Sequence, residues 1–312
     1  MPFLSAFSAY VPSRVVPNSE LADRLSCSAD WIREVSGIEE RRYAADDEMV
    51  VDMAVEAGRA CLEMSKAAIG MLMVSSGTSD YQFPGPAAHV AHRLSLGQSP
   101  ALDIPLASAG SLFAIALATQ LTATYGNILI IAAEKMSAVA LREPLDKNTA
   151  ILFGDGAGAC LVTAQTGQLR IVDSVLKSDG SFTESLQLGH TGPLRMSGLS
   201  VIMQASRKIP GAIRDVLERN GKAPSDMEVF LMHQANQNLI DRVARALDVP
   251  TGKFYSNIRH YGNTSSASML IATASWLAKA DPPPHAQVCF ATFGAGFHWG
   301  AILAEVTDAN SN

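Results

Sequence analysis

Short aliphatic runs recur along the chain, separated by longer Ala-rich stretches with helical spacing. The runs read MLMVSS at 71–76, ALDIPLAS at 101–108, NILIIAAE at 127–134, RIVDSVL at 170–176, VFLMHQ at 229–234 and QVCFATFG at 287–294. Apolar runs of this length predict strands buried on both faces. Helices are predicted between them at residues 45–64, in SLFAIALATQLTATY at 111–125 and in ASRKIPGAIRDVLERNG at 205–221. Strands alternating with helices imply α/β layers. SLFAIALATQL is apolar on nearly every side, which predicts a helix buried between sheets. The pattern breaks at about 165–172, where Thr, Gln and Gly follow GAGACLV. Two units meeting there, 1–168 and 169–312, are expected to form one compact body.

Three polar segments interrupt this apolar fabric. DIPLASAG at 103–110 puts Ser108 at a strand-to-helix junction. A side chain there lies beside unpaired N–H groups and the positive end of the helix dipole, which assists a nucleophile developing negative charge. Serine is also a favoured helix N-cap, so capping is the competing reading. VFLMHQAN places His233 at a strand end, and RHYGNTSSAS places Asn263 in a Gly-bounded turn. Together they supply an imidazole and an amide to accompany a hydroxyl. GDGAGA at 154–159 is Gly-rich, but the following ACLVTA reads as a strand where a dinucleotide fingerprint needs a helix. A tight turn packed near the active site is the reading preferred for it.

Composition narrows the function classes. Hydrophobic residues make up 48% of 312, enough for a large core, and the formal charge is −6. With a pI near 5.6, general nucleic-acid binding is not expected. Surface cations available to an acidic partner are Arg33, Arg41, Arg42, Arg207, Lys208, Arg242 and Arg245. Cysteines 27, 61, 160 and 289 show neither CxxC spacing nor clustering with His, so no metal or redox site is expected. The N-terminus lacks a basic leader, and no apolar stretch approaches the roughly 20 residues that span a bilayer, so a cytoplasmic protein without membrane contact is expected.

The chain resembles the β-ketoacyl-ACP synthase III enzymes of the thiolase superfamily, which start fatty acid and polyketide chains. The likeness runs through SAYVPSRVVPNSEL, DWIREVSGIEERR, SSGTSDYQFPGPA, DIPLASAG, ILFGDGAGACLV, FLMHQAN, YGNTSSAS and FATFGAGFHWGAILAEV. It implies a thiolase-like fold, two similar halves forming a five-layer αβαβα sandwich. In such enzymes the residue matching Ser108 is a cysteine that accepts an acyl group from acyl-CoA as a thioester. Those matching His233 and Asn263 stabilise the enolate oxygen formed when malonyl-ACP loses CO₂. An acyl oxyanion hole is implied at the N–H groups of Ser108 and Ala295, where alanine replaces the usual glycine. Coenzyme A binding is implied at Trp31, Lys147 and Asn236. Lys147 replaces a stacking arginine, and Val35 and Asn238 stand where two further arginines are usual. Phe83 is implied to close the partner's acyl pocket in a homodimer; a core aromatic of the monomer is the alternative.

Serine at 108 leaves three functions open. One is acyl transfer, with Ser108 accepting an acyl group from acyl-CoA or an acyl carrier protein and passing it to a carrier or small-molecule acceptor. His233 is then the candidate base among the motif residues, because an alcohol needs one. The second is decarboxylating condensation in a chain whose natural residue 108 is cysteine. The third is a non-catalytic partner subunit, against which the retained His233 and Asn263 argue. Acyl-CoA enters as substrate, and no permanently bound cofactor is expected.

Overall fold

The computed structural model describes residues 2–308. Nine strands form its main sheet: β1 (Phe3–Tyr10), β2 (Met71–Ser75), β3 (Ala101–Ile104), β4 (Ile128–Lys135), β5 (Asp155–Thr163), β6 (Leu169–Ser178), β7 (Met227–Met232), β8 (Gln287–Gly294) and β9 (His298–Val306). Their order is β7-β8-β9-β6-β1-β5-β4-β2-β3. β1 joins the two sets through only two rungs to β6, Phe3 to Arg170 and Leu4 to Leu169.

Pairing repeats outward from that seam. β1–β5 and β5–β4 are antiparallel, and β4–β2 and β2–β3 are parallel. On the other side β6–β9 and β9–β8 are antiparallel and β8–β7 is parallel. The counterpart of β3 shrinks to one parallel bridge, Phe254 to Phe230.

The helices that position the site are α1 (Ala29–Ser36), α2 (Val50–Ser65), α3 (Pro86–Arg93), α4 (Gly110–Tyr125), α5 (Gly198–Glu218), α6 (Gln237–Leu247) and α7 (Ser268–Leu277). α4 and α7 each touch strands of both sets, whereas α2 covers the outer face of one set and α5 that of the other. Five layers result. As the all-round apolarity of 111–121 predicts, α4 is the buried helix, with Leu112 and Ile115 fully enclosed. Truncating either to Ala would cost about 2–5 kcal/mol.

GDGAGA departs from its predicted turn. Asp155–Thr163 is a buried strand, and its glycines make room for α7: a Cβ on Gly158 would lie 2.5 Å from Leu270 Cβ. Among the described residues no helix is long and apolar enough to cross a membrane, and no group of three or more His, Cys, Asp or Glu is placed to hold a metal.

Candidate active site

Ser108 lies in the turn between β3 and α4, 8% exposed, with φ of 64°. It is not the helix cap: Ala109 holds the N-cap position and no side chain caps the helix. The cost of a left-handed serine is met by close packing on two sides. A Cβ on Gly110 would lie 1.9 Å from Ser75 Oγ, and one on Gly294 would lie 2.0 Å from Ala107 O. Both glycines let strand ends abut the turn. Gly294→Ala is therefore expected to displace Ser108, cutting turnover by about 100-fold and stability by about 1–3 kcal/mol, as steady-state rates and denaturant unfolding would record.

His233 follows β7 directly, its N–H donating to Ala291 O at 2.9 Å. The ring is 4% exposed, and Nδ1 lies 2.6 Å from Ser268 Oγ. Ser268 Oγ accepts the Gln234 N–H at 3.0 Å, and we assign its own proton to Nδ1, which lets that hydroxyl both accept and donate. The remaining ring proton is then on Nε2. Burial lowers the His233 pKa to about 4, against an opposing hydrogen bond to the Ser265 backbone, so the imidazole is neutral at pH 7.

Asn263 is held in its Gly-bounded turn by its N–H to Leu152 O at 2.8 Å and by the Gly154 N–H to its own carbonyl at 3.1 Å. Oδ1 accepts the Ser265 N–H at 2.9 Å, which turns the NH₂ group the other way, with Ala235 O 3.5 Å off. Ser108, His233, Asn263 and Ala295 all line one cavity, whose walls continue into apolar side chains including Leu186, Leu194, Val201 and Ile202. The oxyanion-hole expectation is altered at Ser108, because its N–H donates to Ser265 Oγ at 3.0 Å.

Lys147 Nζ sits 5.3 Å from the centre of the Trp31 ring, so these residues meet without a base between them. Asn236 Nδ2 donates to Val35 O at 2.8 Å, and Asn238 Nδ2 reaches the same carbonyl at 3.1 Å, tying the end of α1 to the start of α6. Asn238 thus clamps the Trp31 helix where the resemblance puts an arginine. Phe83 is 86% exposed, which rules out the monomer-core alternative.

Four of the expected surface cations are paired or enclosed, among them Arg33, which lies 2.9 Å from Asp30. Arg41 is fully buried and donates to Val16 O, Asn18 Oδ1 and Ile151 O, because its segment runs beneath the Gly154 and Gly262 turns. Lys208 pairs with Asp179 at 2.8 Å and caps the Trp299 ring at 4.1 Å. Arg42 is half-buried beside Glu40, and Arg33, Arg207, Arg242 and Arg245 are exposed. Sequence reasoning assigned no role to Ser265, Ser268 or Glu134, the three groups that contact the polar side chains above or the turn between them. The available signal was hydroxyl density in NTSSAS and a lone acid closing the apolar run NILIIAAE.

Residues 102–180 match the family of 3-oxoacyl-[acyl-carrier-protein (ACP)] synthase III, and residues 217–306 match the C-terminal region of the same enzymes. The β-ketoacyl-[acyl-carrier-protein] synthase III of Oleidesulfovibrio alaskensis is 32% identical, over 96% of this chain and 98% of that protein. Its counterpart in Listeria welshimeri is 33% identical, over 94% and 95%. Among solved structures, 3-oxoacyl-[acyl-carrier-protein] synthase III from Aquifex aeolicus superposes with a TM-score of 0.93 at 30% identity, covering 98% of this chain and all of that one. The priming β-ketosynthase of the R1128 polyketide pathway gives 0.90 at 28% identity, covering 99% and 97%.

Proposed function

Because the chain belongs to the 3-oxoacyl-[acyl-carrier-protein] synthase III family and has its thiolase-like α/β fold, we propose that it is an acyltransferase working through Ser108. Ser108 takes an acyl group from acyl-CoA or an acyl carrier protein and passes it to a carrier or small-molecule acceptor in fatty acid or polyketide-type metabolism. The observation that carries this reading is a left-handed Ser108 on the same cavity as His233 and Asn263. A hydroxyl freed from capping duty at a helix start is placed for attack on a thioester carbonyl. The His233 Nε2–H and the Asn263 NH₂ are two donors for an oxyanion, with the Ala295 N–H a third. The apolar walls beyond them suit an acyl chain.

Two units divide these tasks, 1–168 bringing the nucleophile and 169–312 the His and Asn. The coenzyme A adenine enters between Trp31 and Lys147, with Asn236 on the wall of the cavity. Exposed Arg242 and Arg245 on α6, with Arg33 and Arg207, supply positive charge for an acidic carrier. The enzyme acts in the cytoplasm without a resident cofactor. Incubation with acetyl-, butyryl- and octanoyl-CoA tests the central step: an acyl adduct in the intact mass that Ser108→Ala abolishes supports it, and an adduct that survives Ser108→Ala refutes it.

Decarboxylating condensation is the second reading, favoured by the same pair of donors, which suits an enolate oxygen as well as an acyl one. A homodimer accompanies either. Phe83 and Tyr81 expose 86% and 54% of their surface, and the edge strand β3 adds Leu102 at 43%, an apolar surface of the kind that partner chains cover. Phe83→Asp is expected to shift the mass seen by light scattering from dimer to monomer and to weaken loading of long acyl chains.

A further inference from the structure

Glu134 is the penultimate residue of β4 and is wholly buried without a cationic partner among the described residues. Its Oε1 accepts the Ser266 O–H at 2.7 Å and N–H at 3.3 Å; Oε2 accepts the Gly77 N–H at 3.0 Å and the Thr78 O–H at 2.8 Å. A carboxylate without a counter-ion is an expensive way to pin two turns, since only neutral donors offset the burial of its charge. Ser265 adjoins Ser266 in the same turn, and its hydroxyl is among the groups that pull the Glu134 pKa down. Ser265 is itself left-handed, φ 48°, and its Oγ lies 3.0 Å from the Ser108 nitrogen and 3.4 Å from Ser108 Oγ. Among the described residues that is the hydrogen-bond partner of the Ser108 hydroxyl. In the tautomer assigned above His233 is a poor acceptor for its proton, with Nδ1 accepting from Ser268 and Nε2 protonated.

The geometry points to a hydroxyl relay, Ser108 to Ser265 to Glu134, that deprotonates the nucleophile. The inference rests on the Ser108 reading above and adds the destination of its proton. As Ser108 Oγ bonds to the thioester carbon, its proton passes to Ser265 Oγ and the Ser265 proton passes to the Glu134 carboxylate. The carbon–sulfur bond then breaks, and the departing thiolate takes a proton from solvent. In the second transfer the acceptor's attack expels Ser108 Oγ, which recovers a proton from Glu134 through Ser265, while the acceptor releases its own to solvent. Glu134 is thus a positioning and relay group that never touches the acyl chain. Burial pushes its carboxyl above the ordinary range, against hydrogen bonds from Ser266, Thr78, Ser265 and Gly77, which favours proton uptake.

The test compares two backgrounds, since a thiol ionises far more readily than an alcohol and needs the relay less. Loading from acetyl-, butyryl- and octanoyl-CoA is timed by intact mass in the parent chain and in Ser108→Cys, each with and without Glu134→Gln. The relay predicts that Glu134→Gln slows the serine chain by about 100-fold or more but the cysteine chain by less than about 10-fold. It also predicts a pH inflection in the serine chain that Glu134→Gln removes. Equal slowing in both backgrounds, or none in either, overturns the relay while leaving the nucleophile intact. No adduct on the parent chain when Ser108→Cys loads overturns the nucleophile reading and the relay with it. Should Glu134→Gln unfold, Ser265→Ala carries the same comparison, judged by the same ratio.

Discussion

Ser108→Cys is expected to speed acyl loading from acyl-CoA by about 10²–10⁴, the range that activation of a reacting group by proton transfer contributes. A cysteine of ordinary pKa, about 8.5, is already a few per cent thiolate at pH 7 and intrinsically nucleophilic. A serine hydroxyl has to lose its proton as it attacks. The site favours ionisation of a thiol further, since residue 108 lies one position before the α4 N-cap and the helix dipole stabilises negative charge there. The product changes as well. A thioester is more electrophilic toward carbon than an oxygen ester, so with malonyl-ACP the variant is expected to release CO₂ and form a 3-oxoacyl product much faster than the parent. Rapid-quench mass spectrometry measures both steps. A parent chain that loads as fast as the variant would show serine to be fully activated here, and one that loads yet never condenses would place the natural chemistry in acyl transfer.

Legibility of the structure in the sequence followed how much each feature depends on neighbours distant in the chain. Buried strands such as β2 and β4 and the central helix α4 were readable because an element apolar on nearly all sides has one home, the interior between layers. ALDIPLAS misled: β3 is an edge strand with Ala101, Leu102 and Asp103 exposed, since no further strand covers it. Ser108, His233 and Asn263 were readable through their motifs, and the cavity gathers all three. GDGAGA misled because glycines serve a turn and a close helix approach equally well, and only the position of Leu270 decides between them. Arg41 misled because an arginine in a charged run such as EERR is ordinarily solvated; here three neutral oxygens from distant segments enclose it. Ser265, Ser268 and Glu134 were invisible for a related reason. Hydroxyls at helix starts and acids at strand ends are common, and their contacts across 35 to 157 residues of chain are what single them out.

His233→Gln is expected to lower turnover by about 10²–10³, the usual loss on removing one oxyanion donor, and to flatten the acid side of the stability curve. The two effects share one cause. His233 is a donor through Nε2 because burial keeps it neutral, with a pKa of about 4 against 6.5 in an exposed chain. Between those values the unfolded chain binds a proton that the folded protein refuses, so folding stability rises with pH across that window and is complete above it. Acidifying from pH 7 to below 4 therefore removes about 3 kcal/mol through this residue. Glutamine has no proton to take up, and its amide oxygen keeps an acceptor for Ser268, while the Nε2–H donor is lost. Urea unfolding at pH 4.5 and pH 7 separates the effects. The parent is expected to lose more stability than the variant over that interval, by an amount approaching that figure, while the loss of turnover persists at both pH values. A variant as acid-sensitive as the parent would mean that His233 takes up its proton equally in the folded and unfolded chain, and that burial does not hold it neutral.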